Sequence, residues 1–415
     1  MKILLAVLGS TGDIAPFTGV AHVLRSRGHQ VTMTAQADVA PVVRRAGIPC
    51  AVLPGRARMV AGITPRPGLR GQLKMLSWLG DQAVETAGLL LRALHPLIAD
   101  QDAVVFSPLT LVALSVAERY QVPSLGVHLQ PLVATRAFPP AMLPIRSLGG
   151  ALNHALGELF LDVTPRRQWP AVRRLRADLG LPPLGNPRQY RLDYMRGTWP
   201  LLQAYSRHVV PPPPDNPPST RTVGYCWPAP ATGWTPPSDL VAFLEAGPAP
   251  IVVSFGSAPV GDTNQMRTLL ESAGRRTSER LVIQAGWAGL GDPGPLSDSV
   301  YRAGSLPHAW LFPRAGAVVH ACGAGTTAAV LRAGVPAIPV PVMMDQPFWA
   351  RRQHQLGIAP APMPVTQLTE ARLVEAIRSV RADPSMAVRA QAMAAAIADE
   401  DGNGAVADAV EALTS

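Results

Sequence analysis

Short apolar runs alternate with helix-spaced segments along most of the chain. Residues 3–8 (ILLAVL) have no polar position, which is typical of a strand buried on both faces of a sheet. In residues 15–27 the apolar positions recur every three or four residues, as on one face of a helix. The same patterns predict further strands at 30–35, 49–53, 103–106 and 124–127, and helices at 39–46 and 109–120. This alternation predicts a doubly wound parallel sheet.

Proline-rich segments interrupt the alternation and mark a domain boundary. Residues 211–218 (PPPPDNPP) cannot be helical, and residues 227–237 are again rich in proline. We therefore assign an N-terminal domain to residues 1–226, a linker to 227–238 and a C-terminal domain to 239–415. The alternation then resumes, with strands at 251–255, 281–285, 300–303 and 317–319, and helices at 264–275, 346–356, 369–381 and from 385 to near the C-terminus.

The two halves predict an α/β fold of two Rossmann-like domains that face each other across a cleft. In open parallel sheets, ligands bind beyond the carboxyl ends of the strands. We expect the last helix to pack back on the N-terminal domain. Residues 55–94 and 131–150 break the rhythm and are expected to carry substrate-binding loops. Residues 148–179 are predicted to be helical, with Arg-rich exposed faces.

The most informative segment is residues 318–346 (VVHACGAGTTAAVLRAGVPAIPVPVMMDQ), which predicts strand, small-residue turn, helix, strand and loop. Small side chains leave the turn amides open at the start of a helix, where amides and helix dipole bind a diphosphate. Asp345 and Gln346 follow one strand later, where a sugar attached to that diphosphate would lie. Close packing alone, with Asp345 as a helix N-cap, explains the same residues less completely.

A second motif, GSTGD at residues 9–13, directly follows the first strand. Asp13 suits a helix N-terminus, and it also suits a general base that faces the cleft. The two roles are compatible, because one carboxylate oxygen can cap the helix while the other meets the substrate. The helix dipole should lower the pKa of Asp13, so we expect it to remove the proton in concert with bond breaking. The motif is not GxGxxG, so a dinucleotide site is not indicated.

Further candidate residues follow other predicted strands. Ser257 comes after the strand at 251–255, where it could serve only a tight turn or contact a phosphate. Trp287 could be a core residue or border a nucleobase, and backbone groups near Leu306 could read the base edge. His128 and Gln130 follow the strand at 124–127 and are candidates for an acceptor pocket.

Composition narrows the class of protein. The chain has 415 residues, of which 47% are hydrophobic and 16% charged, which excludes a disordered protein. Its net charge of +9 comes almost entirely from arginine, without the basic and aromatic runs of nucleic-acid binding. Three distant cysteines support neither disulfides nor zinc, and no apolar run predicts a membrane span. We therefore expect a cytoplasmic protein, without nucleic-acid partners, that is a monomer or a homodimer.

These motifs resemble those of the family 1, GT-B-fold glycosyltransferases of bacterial natural-product pathways, including glycopeptide-antibiotic and sterol-type enzymes. GSTGDI resembles the N-terminal motif of that group. QAGWAGL, SLPHAWLFPRAGAVVHACGAGTT and RAGVPAIPVPVMMDQPFWA resemble its donor-site block. The resemblance implies inverting transfer of a sugar from a TDP- or UDP-sugar to a hydroxyl of an apolar aglycone. It implies neither a metal nor another cofactor.

The resemblance also implies a role for each matching residue. Asp13 would be the general base, with Ser10 beside it, and Asp345 and Gln346 would bind the donor sugar. The residues implied around the diphosphate are Ser257, His320, Gly323, Gly325, Thr326 and Thr327.

One position departs from the family pattern. The family usually has a second histidine before the glycine turn, and Ala321 occupies that place here. Losing one charge-assisted donor is expected to cost roughly 2–4 kcal/mol of leaving-group stabilisation unless His320 or an arginine replaces it. Ala321 also leaves open a catalytically impaired homologue acting as an auxiliary partner. A sugar-nucleotide epimerase would need further carboxylates, and an NAD-dependent oxidoreductase would need GxGxxG.

Overall fold

The protein folds into two α/β domains, as seen in a computed structural model that describes residues 1–57, 68–186, 188, 199–230, 233–284, 286 and 293–414. The N-terminal elements are β1 (Lys2–Ala6), α1 (Thr11–Ser26), β2 (Gln30–Gln36), α2 (Ala40–Arg45), β3 (Cys50–Leu53), α3 (Gly68–Ala99), β4 (Ala103–Phe106), α4 (Leu114–Tyr120), β5 (Ser124–His128), α5 (Gly150–Val163), α6 (Trp169–Asp178), β6 (Leu201–Gln203) and β7 (Thr220–Thr222). Short 3₁₀ helices at Pro108–Ala113 and Thr164–Arg167 precede α4 and α6.

The C-terminal half repeats the architecture. Its elements are α7 (Ser238–Glu245), β8 (Ile251–Ser254), α8 (Thr263–Thr277), β9 (Leu281–Gln284), β10 (Gly294–Ser297), β11 (Val300–Ala303), α9 (His308–Leu311), β12 (Ala317–His320), α10 (Ala324–Ala333), β13 (Ala337–Pro339), α11 (Gln346–Gln355), α12 (Glu370–Ala382), α13 (Pro384–Ala398) and α14 (Gly402–Glu411). Two further 3₁₀ helices lie at Phe312–Arg314 and Val365–Gln367.

Each half forms one sheet, and the fold class predicted from the sequence is confirmed. The first sheet has the order β3-β2-β1-β4-β5-β6-β7 and is parallel throughout. The second has the order β10-β11-β9-β8-β12-β13, with only the β10–β11 pair antiparallel. The strand order reverses at β1/β4 and at β8/β12, which is where ligands bind in such sheets.

Three sequence expectations need correction. Residues 68–99, expected largely as loop, form the long helix α3. The helix expected over residues 148–179 is divided into α5 and α6 by a 3₁₀ turn that contains Pro165. The last helix is also divided, because the side chain of Asp401 accepts the Gly404 amide at 2.9 Å and starts α14 as a separate helix.

The chain ends on the N-terminal domain. Val406, Ala407 and Val410 of α14 are fully buried in the same core cluster as Phe17 of α1. The segment that connects the domains passes between these two helices. There the Asn403 amide donates to the carbonyl of Trp227 at 3.0 Å, and its oxygen accepts the Trp227 N–H at 3.2 Å.

A second contact between the halves fixes α11, which begins next to Asp345. The Arg352 guanidinium donates to the Val209 carbonyl through Nε at 2.9 Å and Nη2 at 2.6 Å. The Trp349 ring packs edge-on against Tyr205, with ring centres 6.0 Å apart. Val209 and Tyr205 lie just beyond β6, so α11 rests directly on the N-terminal domain.

Candidate active site

One cleft of about 1850 Å³ brings together most of the residues singled out from the sequence. Pockets for a single small ligand usually enclose about 300–1,000 Å³, so this cleft has room for two substrates side by side. The candidates that line it are Ser10, Asp13, His128, Gln130, Ser257, Leu306, Gly323, Gly325, Thr326, Asp345 and Gln346. They come from both domains, as expected for the carboxyl ends of facing sheets.

The two carboxylate oxygens of Asp13 differ in their hydrogen bonds: one accepts two short bonds at the start of α1, and the other accepts a single long bond. Its Oδ2 accepts the Ser10 N–H at 2.8 Å and the Ser10 hydroxyl at 2.9 Å, which completes the capping box of α1. Its Oδ1 accepts only a long bond of 3.4 Å from the Gln130 amide. A β-carbon at residue 9 would lie 2.5 Å from Oδ2, so Gly9, with φ of +131°, leaves room for this arrangement.

The electrostatics of Asp13 differ from the sequence expectation. Burial raises the pKa of the Asp13 carboxyl above its ordinary value, although hydrogen bonds from Ser10 and Gln130 act in the opposite direction. The sequence predicts the opposite direction, because the α1 dipole alone would lower the pKa of Asp13. A raised pKa makes the ionised carboxylate a better proton acceptor than an ordinary aspartate.

The small-residue turn forms the N-terminus of α10 on the opposite wall. Gly323 is its N-cap, and Cys322 before it adopts a left-handed conformation with φ of +63°. A β-carbon on Gly325 would lie 3.7 Å from the carbonyl oxygen of Gly12 in α1. The N-termini of α1 and α10 therefore meet across the cleft. The amides and the positive dipole end of α10 can bind an anion here, whereas the α1 N-terminus is capped by the Asp13 carboxylate.

Two of the diphosphate candidates do not reach that place. His320 is fully buried at the end of β12 and accepts the Cys322 N–H through Nδ1 at 3.3 Å. Its Nε2 therefore carries the proton and donates to Gln353 Oε1 at 3.0 Å. Thr327 is also fully buried, with its hydroxyl 3.5 Å from the Gln353 amide. Burial lowers the pKa of His320 to about 4, so it is a neutral core residue and not a donor to the diphosphate.

Ala321, the position that departs from the family pattern, does line the cleft. Its side chain is 4% exposed and belongs to a hydrophobic core cluster, so this part of the cleft wall lacks a polar side chain. The expectation that His320 could take over that role is wrong, because both of its ring nitrogens are bonded within the core.

Asp345 and Gln346 lie at the start of α11 and are held by different groups. Asp345 does not cap the helix with its side chain; its Oδ2 instead accepts the Trp349 indole N–H at 2.7 Å. Gln346 Oε1 accepts the amides of Val342 at 2.8 Å and Met343 at 3.0 Å, which closes the loop and leaves the Gln346 NH₂ group as the donor for a ligand.

The two carboxyl groups of the cleft influence each other. Burial raises the pKa of Asp345 to about 7, the Trp349 bond opposes this rise, and the negative charge of Asp13 adds to it. Because Asp13 acts on Asp345 through its charge, the two carboxyl groups share one electrostatic environment across the cleft. Burial remains the main cause of the raised pKa at each of the two carboxyl groups.

His128 and Gln130 lie on the N-terminal wall beyond β5. His128 is only 7% exposed, and neither ring nitrogen has a hydrogen-bond partner among the described residues. Burial lowers the pKa of His128 to about 4, so the ring is neutral and offers one donor and one acceptor. Around it the wall is mainly aliphatic, with Leu129, Leu132, Val133, Leu143, Leu156 and Phe160.

Known proteins match the chain over its whole length. Residues 3–139 match the glycosyltransferase family 28 N-terminal domain, and residues 267–413 match the erythromycin biosynthesis protein CIII-like C-terminal domain. O-mycaminosyltylonolide 6-deoxyallosyltransferase of Streptomyces fradiae is 33% identical over 429 residues, covering 97% of this chain and 95% of that protein. The chain belongs to the family 1, GT-B-fold glycosyltransferases.

Other relatives of this glycosyltransferase are longer. Sterol 3-beta-glucosyltransferase UGT80A2 of Arabidopsis thaliana is 32% identical over 435 residues, and the chain spans 65% of its length. Sterol 3-beta-glucosyltransferase of Aspergillus clavatus is also 32% identical, and the chain spans 29% of its length.

Solved structures share the fold of this glycosyltransferase. The kitacinnamycin glycotransferase superposes with a TM-score of 0.73 at 21% identity, covering 100% of this chain and 99% of that one. The spinosyn rhamnosyltransferase SpnG, solved with thymidine diphosphate, superposes with a TM-score of 0.67 at 18% identity, covering 99% and 100%. Both confirm the GT-B arrangement of two Rossmann-like domains.

Two residues of the glycosyltransferase cleft were not assigned from the sequence. Gln284, at the end of β9, accepts the Ser254 hydroxyl at 2.7 Å and donates to the Leu306 carbonyl at 3.0 Å. His308 lies 3.2 Å from Gln284 Oε1 and stacks on Phe312. Gln284 and His308 belong to the sequence motifs QAGW and SLPH. Only their hydrogen bonds in the structure reveal that they cluster next to Leu306. Trp287 lies outside the described residues.

Among the described residues, none of the helices combines the length and apolar character that a membrane-spanning segment needs. The same residues contain no group of three or more histidine, cysteine, aspartate or glutamate side chains arranged to hold a metal ion.

Proposed function

We propose that this chain is an inverting glycosyltransferase that moves a sugar from a TDP- or UDP-sugar to a hydroxyl of an apolar aglycone, with Asp13 as the general base. The observation that carries the proposal is the meeting of Asp13 with the N-terminus of α10 in one cleft. A proton acceptor and an anion seat then flank the space in which the anomeric carbon would lie. The relatives act on sterols and on O-mycaminosyltylonolide, as their names state.

The donor would lie along the C-terminal wall. Its diphosphate would sit at the α10 N-terminus, bound by the amides at Gly323, Gly325 and Thr326 and by Ser257. Asp345 Oδ1 and the Gln346 NH₂ group would bind sugar hydroxyls, since Asp345 Oδ2 and Gln346 Oε1 are already bonded. The nucleobase of the donor would lie near Leu306. The Leu306 carbonyl is bonded to Gln284, so the Leu306 N–H is the backbone group available to the nucleobase.

The acceptor would lie along the aliphatic N-terminal wall. Its hydroxyl oxygen attacks the anomeric carbon while the bond from that carbon to the diphosphate oxygen breaks on the opposite face. The hydroxyl proton passes to Asp13 Oδ1, and the electron pair of the broken bond leaves with the diphosphate. Attack from the opposite face inverts the anomeric configuration. His128 would hydrogen-bond a polar group of the acceptor, because its neutral ring has no partner in the part of the chain that the structure describes.

Stabilisation of the leaving diphosphate would come from the α10 N-terminus and its amides, without a metal. Transfer should therefore continue in the presence of EDTA. The proposal is tested by incubating the protein with TDP- and UDP-sugars and a panel of sterol, macrolide and glycopeptide aglycones, followed by mass spectrometry of the products. Donor binding without transfer or hydrolysis across the panel would favour the impaired homologue that Ala321 suggests.

Replacing Ala321 with histidine is expected to raise kcat for transfer by roughly tenfold or more. This position lines the cleft but is 4% exposed, so a histidine whose ring turns into the cleft would add a charge-assisted donor to the leaving group. Steady-state kinetics with saturating acceptor measures the change. His320→Gln, at a buried neighbouring position, is the matched variant that should give no gain. An unchanged kcat for Ala321→His would mean that another group already stabilises the diphosphate.

Activity is expected to fall as the pH is lowered. The midpoint of this fall should lie at a higher pH than the ordinary pKa of an aspartate. Burial raises the pKa of Asp13 above its ordinary value and raises that of Asp345 to about 7, so each carboxyl group binds its proton at a higher pH than usual. A protonated Asp13 cannot accept the hydroxyl proton, so kcat/KM should rise with pH through the ionisation of Asp13. A pH–rate profile measures it, and a midpoint at or below the ordinary aspartate pKa would contradict the geometry.

A further inference from the structure

Helix α5 buries a polar residue and a glycine and exposes apolar residues, which is the reverse of a normal surface helix. The residues it buries are Asn153 and Gly157. Asn153 accepts the Leu148 N–H at 2.9 Å and donates to the Arg136 carbonyl at 3.2 Å. Gly157 lies so close to Ala134 that a β-carbon there would be 2.8 Å from the Ala134 β-carbon. The helix is thus anchored through a polar and a small residue.

Three of its apolar residues are largely exposed, Leu152 at 62%, Leu159 at 55% and Val163 at 47%, and Leu148 just before the helix is 51% exposed. Leu152, Leu159 and Val163 are separated by seven and four residues, which places them in one line along α5, with exposed Ala155 between them, and Leu148 lies just beyond the N-cap residue. We call this row of Leu148, Leu152, Leu159 and Val163 the α5 stripe. Isolated exposed leucines are ordinary, but a continuous row on one helix indicates a binding surface.

The α5 stripe leads into the cleft. Leu159 and Val163 belong both to the stripe and to the cleft lining, so the stripe adjoins the aliphatic wall of the cleft. An apolar partner seated on the stripe would therefore border the opening of the cleft.

The two ends of the stripe carry positive charge. Arg146 precedes the stripe and Arg166 follows it, and both are exposed. The acidic residues of α5 are Glu158 and Asp162, and Asp162 is paired with Arg188 at 3.4 Å. The whole chain carries a net charge of +9. An apolar row between arginines matches the surface of an anionic bilayer, where the leucines enter the acyl boundary and the arginines meet the head groups.

We propose that the α5 stripe docks this glycosyltransferase onto the surface of an anionic lipid bilayer. A second copy of the chain fits less well, because antiparallel pairing of two α5 helices would bring Arg146 of one copy near Arg166 of the other. Docking does not depend on catalysis. Delivery of an apolar acceptor from the bilayer to the cleft is the consequence that rests on the proposed function.

The test is sedimentation of the full chain with vesicles of phosphatidylcholine, with and without phosphatidylglycerol. Wild-type protein should bind the phosphatidylglycerol vesicles and bind phosphatidylcholine alone much less. The double variant Leu148→Ser/Leu152→Ser should bind at least about tenfold more weakly, because two leucines no longer enter the bilayer. Neither residue lines the cleft, so thermal melting and transfer to a water-soluble acceptor should be unchanged.

Val388→Ser is the matched control, since Val388 is 64% exposed on α13 of the other domain and should leave vesicle binding unchanged. Arg146→Gln/Arg166→Gln should weaken binding only to the anionic vesicles. The proposal is overturned if wild-type protein does not sediment with phosphatidylglycerol vesicles, or if the leucine variant binds as wild type does. A wild-type dimer in solution that the leucine variant abolishes, without vesicle binding, would assign the stripe to a second copy instead.

Discussion

Asp13→Asn is expected to reduce the rate of glycosyl transfer by about 10²–10⁴-fold, the usual contribution of a general base. Asparagine has nearly the same shape, and its oxygen can accept the Ser10 bonds that start α1, so the fold should persist. What is lost is the oxygen that would take the hydroxyl proton. Steady-state transfer assays measure the rate, and calorimetric titration of the nucleoside diphosphate should give an unchanged Kd.

The matched variant is Asp345→Asn, which changes the other carboxyl group of the cleft. Because Asp345 is assigned to the donor sugar, this substitution should mainly raise KM for the nucleotide sugar. Transfer by Asp13→Asn at the wild-type rate would remove Asp13 as the base. Equal losses of kcat in both variants would mean that the pair acts as one unit.

Gly19→Ala is expected to lower the free energy of unfolding by about 3 kcal/mol, at the upper end of the cost of overpacking a core. Gly19 lies in the middle of α1, beneath the segment that connects the domains. A β-carbon there would lie 1.8 Å from the Trp227 carbonyl oxygen and 2.6 Å from Asn403 Nδ2. The backbone of the connecting segment must move, which breaks the Asn403 bonds that hold it to α14. Thermal and chemical denaturation followed by circular dichroism measure the loss.

Gly88→Ala in α3 is the control for this prediction. The nearest atom to a β-carbon there is Arg92 Nη1 at 3.8 Å, on a flexible side chain. Since alanine favours a helix more than glycine, this variant should be as stable as wild type or slightly more stable. If Gly19→Ala were equally stable, α1, the connecting segment and α14 would not be packed as described.

The parts of the site that could be predicted from the sequence are those whose contacts are local. Asp13 is predicted at the start of a helix and lies there, although the helix begins at Thr11 with Ser10 as the N-cap residue and Asp13 as its third residue. The turn before α10 is likewise contained in a few small residues. In both cases a strand end, a turn and a helix start are adjacent in the chain, so the sequence pattern is sufficient to place them in the cleft.

Contacts between distant residues account for the errors. His320 was expected near the diphosphate, but its ring is held by Gln353, 33 residues further along the chain. The pKa of Asp13 was expected to fall under the α1 dipole, whereas burial between two domains raises it. Asp345 does occupy the N-cap position of α11, but its side-chain oxygen accepts the indole N–H of Trp349, four residues later, so this difference is local. The outcomes for His320 and Asp13 depend on tertiary packing that hydrophobic periodicity does not encode.

The most direct test of the proposed reaction is the anomeric configuration of the product. The protein would be incubated in EDTA with an α-linked TDP- or UDP-glucose and an apolar acceptor identified in the aglycone panel, and the glycoside examined by proton NMR. The proposal predicts a β-linked glycoside formed in equal amount with the nucleoside diphosphate. An α-linked product would contradict direct attack on the donor with Asp13 as the base, and a requirement for added metal would contradict stabilisation by the α10 N-terminus.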